Sequence, residues 1–402
     1  MDNTKTTTNF TLYAFGSVLF LLSLSVVKIS IVQIGQIALL LFFIGILLDE
    51  YRQKSVRWGI LWYMVGFGLL LSLISFASPE QKIGEYKFVI KYLFIFPPAY
   101  YIGVWAGEKL SLKNLISVLE VNIVLFMGFA LLLWIYPVGF LVHDRGMHEF
   151  KGTFFESGGF AVILGNFLLT VVLLKLDMFK SFSKKDIALY VIALFALIWS
   201  HNKSVWLGFV SIVFMFILLK PFIHDIPNRV HSSELYSKLH IKKMIFLLLF
   251  LVIGFFIVNS LLEEPIVSIE MIKNKMQNER GKVVLVVLHL LEQSNWQGAY
   301  GFGFVERFFS TYTDAIVGLG GQVGMIFNSY LDVWISVGFL GVIYHLSLLW
   351  NAWDRRSLVT MALPMYWFVM LNTNPTSQSE YYFIFLGLCY GYIRNLNMRK
   401  EN

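Results

Sequence analysis

The sequence has little charge, almost no cysteine and few of the polar loops that a soluble protein needs. Only 14% of its 402 residues are charged and 57% are hydrophobic, whereas a soluble domain carries about 25% charged residues. Its one cysteine, Cys389, lies in an apolar run, so neither a disulfide framework nor a cysteine-based metal site can form within the chain. This composition predicts a polytopic membrane protein.

Several motifs of nucleotide-driven and hydrolytic enzymes are also missing. There is no GxxxxGK[ST] phosphate-binding loop, no HExxH zinc motif and no GxSxG nucleophile motif, which removes support for nucleotide-driven transport, zinc-protease and serine-hydrolase chemistry. The histidines and acids of 143–149 lack the helical spacing of a zinc-protease site, so we expect no metal and no cofactor. The net charge of +7 is typical of basic cytoplasmic loops and does not indicate nucleic-acid binding.

What the chain does contain is a long series of apolar runs. A transmembrane helix needs about 20 mostly apolar residues. The predicted spans are 10–27, 29–48, 58–77, 88–106, 115–137, 158–174, 187–200, 204–219, 244–262, 329–350, 357–371 and 380–397. We therefore expect an all-α fold, a polytopic integral membrane protein of about 12 transmembrane helices.

Lysine and arginine are distributed unevenly between these runs. When the N-terminus is placed in the cytoplasm, most of them fall on the cytoplasmic side, as the positive-inside rule requires. Both termini are then cytoplasmic, and one large loop faces outward. The predicted organisation is an N-terminal transmembrane bundle (1–262), an outer loop with short helices (263–327) and C-terminal transmembrane helices (328–402).

The outer loop is the one long polar interval in the sequence. Loops longer than about 12–15 residues are usually functional or disordered, and this one has too many apolar and aromatic residues for disorder. Its basic residues include Arg280 and Arg307, and Lys203 lies in a tight turn on the same predicted face. Arginine grips phosphate oxygens with a planar fork and lysine binds them as a point charge. These cations suit a diphosphate at the outer face, and contact with solvent or with lipid headgroups is the alternative for each of them.

A second outer segment, 138–157, ends in an acidic residue at the membrane. Glu156 lies where the chain re-enters the bilayer, beside small residues that let a ligand approach. An ionisable residue at that depth is a functional hypothesis by default, and it could act as general base for a hydroxyl group. Pairing with Arg145 or another cation is an equally good interpretation, and the residues alone do not decide between the two.

Four segments, taken in order, resemble motifs of a known family. They are Arg145–Phe160 (RGMHEFKGTFFESGGF), Ser200–Gly208 (SHNKSVWLG), Arg280 followed by Gly301-Phe302-Gly303, and Asn328–Gly341 (NSYLDVWISVGFLG). This order is similar to that of the O-antigen polymerase and ligase superfamily, the Wzy-like bacterial membrane glycosyltransferases. The resemblance covers roughly residues 140–345.

The resemblance implies a metal-independent O-antigen polymerase of the bacterial inner membrane. It would join oligosaccharide repeat units carried on undecaprenyl diphosphate at the periplasmic face. Its catalytic residues would be Arg280 and Glu156, and its substrate-binding residues would be Lys203, Arg307, Asn328, Arg145, Gly301 and Gly303. It would need no cofactor, and its partners would be the lipid-linked glycans, membrane lipids and a chain-length regulator protein.

Two other functions remain open at the level of the sequence. One is an O-antigen ligase, which transfers the glycan to the lipid A core, although ligases of the superfamily typically have histidine where Asn328 stands. The other is a flippase for lipid-linked oligosaccharides, without chemistry. The chain shows no internal repeat, and Lys91 is the exception among spans that mostly lack deep charge, which disfavours a transporter.

Overall fold

The computed structural model describes residues 9–24, 28–29, 32–77, 89–135, 157–178, 182–200, 202–223, 301, 328–373 and 379–401. Within these ranges the chain is almost entirely helical. The elements are α1 (Asn9–Ser23), β1 (Lys28–Ile29), β2 (Val32–Gln33), α2 (Ile34–Arg52), α3 (Trp58–Ala77), a π-helical segment (Lys91–Ile95), α4 (Phe96–Lys109), α5 (Leu112–Ile135), α6 (Ser157–Asp177), α7 (Lys184–Trp199), α8 (Lys203–Ile223), α9 (Ser329–Asn351), α10 (Leu358–Thr373) and α11 (Glu380–Glu401).

Many of these helices have the length and composition of membrane spans. Among the described residues, four are long and apolar enough to cross a bilayer: Ile34–Arg52, Leu112–Leu132, Gly159–Asp177 and Ser329–Asn351. Shorter apolar helices lie within α1, α3, α8 and α10. The hydrocarbon core of a membrane offers no hydrogen-bond partners, and a helix pairs its own backbone N–H and C=O groups. The prediction of an all-α fold is therefore confirmed for the described residues, and the apolar helices are consistent with a membrane protein.

Individual spans agree with the predicted ranges to different degrees. The short runs 187–200 and 357–371 do form helices, α7 and α10. The second span begins at Ile34 rather than at residue 29, because Lys28 and Ile29 pair antiparallel with Gln33 and Val32. The predicted span 244–262 lies outside the described residues, and so does the predicted loop 263–327 apart from Gly301.

Helices α4 and α11 cross closely and run in the same direction. Each carries two glycines four residues apart, Gly103 and Gly107 in α4 and Gly387 and Gly391 in α11. This spacing puts both glycines on one helix face, where the missing side chains let two backbones approach in a membrane. The four glycines face the partner helix, so the crossing is a direct contact of backbone with backbone.

The closeness of the crossing is measurable at both glycine pairs. A Cβ atom added to Gly103 would lie 2.0 Å from the carbonyl oxygen of Ile384, and one added to Gly387 would lie 2.2 Å from that of Tyr100. Cys389 lies in the same stretch of α11 and is fully buried. Helices from the beginning and the end of the chain therefore share one core.

The helices place their termini at two opposite ends of the bundle. At one end, Asp177 of α6 accepts hydrogen bonds from the Ser357 hydroxyl and, at 3.0 Å, from the Leu358 N–H at the start of α10. At the other end, the Asn328 amide before α9 donates to Asn372 Oδ1 near the end of α10 at 3.5 Å. We call the end with Asp177 the Arg57 end, after the arginine of an ion-pair cluster there, and the opposite end the Asn328 end.

A buried cluster of ion pairs lies at the Arg57 end. The Arg57 guanidinium bonds both Glu50 and Glu108, and Arg394 Nε lies 3.0 Å from the second oxygen of Glu108. Burial would lower the pKa of Arg57, but the hydrogen bonds and charges of Glu108 and Glu50 raise it above its usual value, so this arginine stays charged. The cluster joins α2, α3, α4 and α11 at one level.

Candidate functional site at the Asn328 end

The N-terminal parts of three helices pack against the second half of α10. The Tyr366 hydroxyl donates to the carbonyl oxygen of Val162 in α6 at 2.9 Å. A Cβ atom on Gly208 of α8 would lie 3.0 Å from the ring of Tyr366. The ring of Tyr330 in α9 lies 5.7 Å from that of Phe368, centroid to centroid. The N-terminal parts of α6, α8 and α9 therefore lie beside α10 at the Asn328 end.

Three helix N-termini at one end each contribute positive electrostatic potential, which the Asp332 carboxylate partly offsets in the first turn of α9. The first N–H groups of a helix have no partner inside it, and the aligned peptide dipoles place about half a positive charge there. Asn202 satisfies part of this need in α8, because its Oδ1 accepts from the N–H groups of Ser204 and Val205 at 3.0 and 3.3 Å. The arrangement favours an anion such as a phosphate or carboxylate.

Asn328 has a clear local role as the N-cap of α9. Its Oδ1 accepts hydrogen bonds from the N–H groups of Tyr330 and Leu331 at 3.0 and 3.1 Å. Its Nδ2 donates to Asn372 at the long distance of 3.5 Å. The oxygen is therefore committed to the helix, and the amide N–H groups are the part of Asn328 that a ligand could engage.

Replacing Asn328 by alanine should lower the free energy of unfolding by about 1 kcal/mol, the usual cost of removing an N-cap. Replacing it by serine should change the free energy of unfolding by only about a few tenths of a kcal/mol, because serine caps helices about as well as asparagine. Thermal unfolding of the detergent-solubilised protein, followed by size-exclusion chromatography, measures both. Equal stability for the two variants would contradict a capping role.

Gly301, from the predicted outer loop, packs against a break in α9. It is buried and has a φ of +85°, which glycine adopts without strain. Val337 and Gly338 interrupt the helix with non-helical backbone angles, and a Cβ on Gly301 would lie 2.5 Å from the Gly338 nitrogen. Non-helical backbone inside a membrane is tolerated where protein buries it. The structure thus gives Gly301 a packing contact, and its role in substrate binding stays a prediction.

The other predicted site residues are placed only in part. Lys203 is the first residue of α8, so its backbone lies at the Asn328 end. The predicted residues Arg145, Glu156, Arg280, Gly303 and Arg307 lie outside the described residues, and their roles stay predictions. Among the described positions, Gly208 lies beside α10, Asn328–Gly341 form the start of α9, and Gly301 packs against the break in that helix.

A polar cluster that the sequence did not predict lies on the other side of α11, at the same end. Gln36 Nε2 donates to Glu380 Oε1 at 2.7 Å, and Lys91 Nζ lies 3.4 Å from the same oxygen. The N–H of Gln33 donates to Gln36 Oε1 at 3.2 Å. Lys91 stood out in the sequence as a charge within a span, but its partner Glu380 gave no local signal.

A second buried network involves His345. Its Nε2 lies 3.2 Å from the Tyr92 hydroxyl and its Nδ1 lies 3.2 Å from the Tyr382 hydroxyl. The Tyr382 hydroxyl also donates to the His345 carbonyl oxygen at 3.4 Å, so both ring nitrogens and the backbone oxygen of His345 have tyrosine partners. Every polar group of this imidazole is used, which indicates that it fastens the π-helical segment, α9 and α11 together.

Comparisons with known proteins add no family to this picture. No protein-family model matches the chain, and no curated protein matches it significantly. The function must therefore be argued from the geometry of the Asn328 end and from the motifs around it.

Proposed function

We propose that this protein is an O-antigen polymerase, a membrane glycosyltransferase that joins repeat units carried on undecaprenyl diphosphate. The observation that carries the proposal is the meeting of three helix N-termini beside α10 at the Asn328 end. These helices begin within the first, second and fourth of the segments that resemble the superfamily, and Gly301 of the third segment touches α9. A lipid-linked diphosphate is the anion that such an end of a membrane bundle would meet.

The chemistry required is displacement of a diphosphate leaving group. Negative charge grows on the diphosphate as its bond to the anomeric carbon breaks, and fixed positive groups lower that barrier. Lys203 at the start of α8 and Arg280 would hold the donor diphosphate, with Arg307 as a weaker third contact. Arg145 and Glu156 precede α6, where Glu156 would orient or deprotonate the acceptor hydroxyl.

The orientation in the membrane forms part of the proposal. The chain would span the inner membrane about 12 times, with both termini and the Arg57 end in the cytoplasm and residues 263–327 covering the site in the periplasm. Basic residues concentrate at the Arg57 end, as the positive-inside rule requires. Trp58, Trp62 and Trp350 are 52%, 68% and 74% exposed there, which is typical of side chains at a membrane interface.

Polymerase is preferred over ligase because of the residue at the start of α9. Asn328 stands where ligases of the superfamily typically have histidine. An amide has no proton that titrates near neutral pH, whereas an imidazole has. A reaction that depends on proton transfer at this position could not proceed here.

Deleting the gene should convert the surface polysaccharide from a ladder of long chains to single repeat units. The remaining steps of assembly do not depend on polymerisation, so one unit still reaches the lipid A core. Electrophoresis of extracted lipopolysaccharide measures this, with the deletion strain complemented by the wild-type gene as the control.

Each alternative function predicts a different band pattern for lipopolysaccharide from the deletion strain. Loss of a ligase would leave bare lipid A core while polymer accumulates on the carrier lipid. Loss of a flippase would leave no repeat unit at the surface. Either pattern would overturn the polymerase proposal.

A further inference from the structure

One carboxylate at the Asn328 end has an oxygen without a hydrogen-bond partner in the part of the chain that the structure describes. Gln36 and Lys91 both approach Oε1 of Glu380, and Oε2 has no hydrogen-bond partner among the described residues. At the Arg57 end, by contrast, Oε1 of Glu50 bonds Arg57 and its Oε2 accepts from Tyr101. The Glu380 side chain is only 11% exposed, and Gln36 and Lys91 orient the carboxylate through its other oxygen.

The backbone around Lys91 is also unusual. Residues Lys91–Ile95 form a π-helical segment ahead of α4, and such bulges occur frequently at functional sites. The segment fits against α3, because a Cβ atom on Gly68 would lie 2.5 Å from the Tyr92 carbonyl oxygen. The irregular backbone is therefore held by packing, and it sets the direction in which Lys91 leaves the helix.

The charges of the cluster select the class of ligand. Lys91 and Glu380 cancel, so a free cation is repelled by the ammonium group and a phosphate by the carboxylate. A neutral molecule with several hydroxyl groups suits the cluster, because Oε2 of Glu380 accepts a hydrogen bond while Gln36 can donate its second amide N–H. Hydrogen bonds to a charged acceptor are also the stronger kind.

The location of the cluster distinguishes it from the proposed diphosphate site. Glu380 begins α11, a short connection after Thr373 at the end of α10. It faces α2 and the π-helical segment, whereas the helix N-termini of the diphosphate site adjoin α10. The two sites lie at the same end of the bundle on different faces of the α10–α11 pair.

We infer that Gln36, Lys91 and Glu380 form a binding subsite for sugar hydroxyls of the acceptor repeat unit. The inference rests on the proposed polymerase function, and it assigns the second substrate a place apart from the donor diphosphate. Glu380 accepts a hydroxyl through Oε2, and Lys91 and Gln36 keep the carboxylate in position. The subsite holds the glycan while its reactive hydroxyl extends toward the donor.

The test replaces Glu380 by glutamine, which keeps the shape and can still accept from Gln36. Inner-membrane vesicles that hold preformed lipid-linked polymer as donor are supplied with increasing amounts of undecaprenyl-diphosphate-linked repeat units, extracted from the deletion strain. Glu380→Gln should require about tenfold more repeat units for half-maximal elongation, with the maximal rate retained. Immunoblotting matches the amount of each variant.

A double variant separates ligand binding from a structural ion pair. Glu380→Gln together with Lys91→Met removes both charges, so a purely structural pair would be rescued and elongation would return toward wild type. The acceptor subsite predicts that the double variant stays at least as impaired as Glu380→Gln. Rescue by the double variant, or wild-type kinetics for Glu380→Gln, would overturn the subsite alone. Failure of the wild-type vesicles to elongate any chain would overturn the polymerase function instead.

Discussion

Replacing Gly103 by leucine should prevent the folded protein from accumulating in the membrane. The new Cβ atom would lie 2.0 Å from the carbonyl oxygen of Ile384, and a backbone atom in a packed helix cannot move aside as a side-chain end can. Forcing extra volume into a packed core already costs about 1–3 kcal/mol when side chains can adjust. We expect a larger loss here, which is a substantial fraction of the roughly 5–15 kcal/mol that stabilises a folded protein.

The matched control is leucine at Gly128 in α5. A Cβ atom there meets nothing within 4 Å, and the position is exposed. Both variants add the same volume to an apolar helix, so only the crossing distinguishes them. Yield of monodisperse protein in detergent and its thermal stability provide the measurement. Similar behaviour of Gly103→Leu and Gly128→Leu would mean that α4 and α11 do not cross as described.

Replacing Arg280 by alanine should abolish long polysaccharide chains. A guanidinium that holds the departing diphosphate stabilises charge that exists only in the transition state, and removal of one such donor typically costs about a hundredfold or more in rate. Lys203→Arg should retain long chains, because arginine supplies the same charge with an additional donor. The band pattern of surface lipopolysaccharide from complemented deletion strains measures both effects.

Lys282→Ala is the control for Arg280→Ala. Lys282 lies two residues away in the same loop, and its expected role is contact with solvent or lipid headgroups. It should leave the chain-length pattern close to wild type. Full-length polymer from Arg280→Ala, with the variant present at normal abundance, would remove Arg280 from the mechanism.

The sequence predicted the helical membrane architecture because that architecture follows from local composition. Residues 187–200 form too short an apolar run to be obvious as a span, yet they fold as a helix because Ser183 and Asp186 cap its start reciprocally and nothing within it breaks the pattern. Residues 29–33 misled the prediction, because Ile29 and Val32 are apolar as well as β-branched and extend the apparent span.

The sequence pattern does not predict contacts between residues that are far apart in the chain. Gln36 and Glu380 are 344 positions apart, and the residues around each of them do not indicate that the two side chains pair. The Gly103 and Gly387 repeats are visible in the sequence, but the spacing alone does not say which helix each one faces. The glycine-spaced turn predicts Gly301 as a site residue. Its contact with α9 depends on a break in that helix, and the uninterrupted apolar run there gives no sign of the break.

The burial of Cys389 has a practical consequence for orienting the chain. A fully buried thiol is shielded from water-soluble maleimides, so the native protein already serves as an unreactive background for cysteine scanning. Single cysteines introduced into residues 263–327 would then report on their own side of the membrane, without any need to replace the natural cysteine. Labelling of such sites in intact spheroplasts would show directly on which face of the membrane the loop lies, and the proposal predicts the periplasmic face.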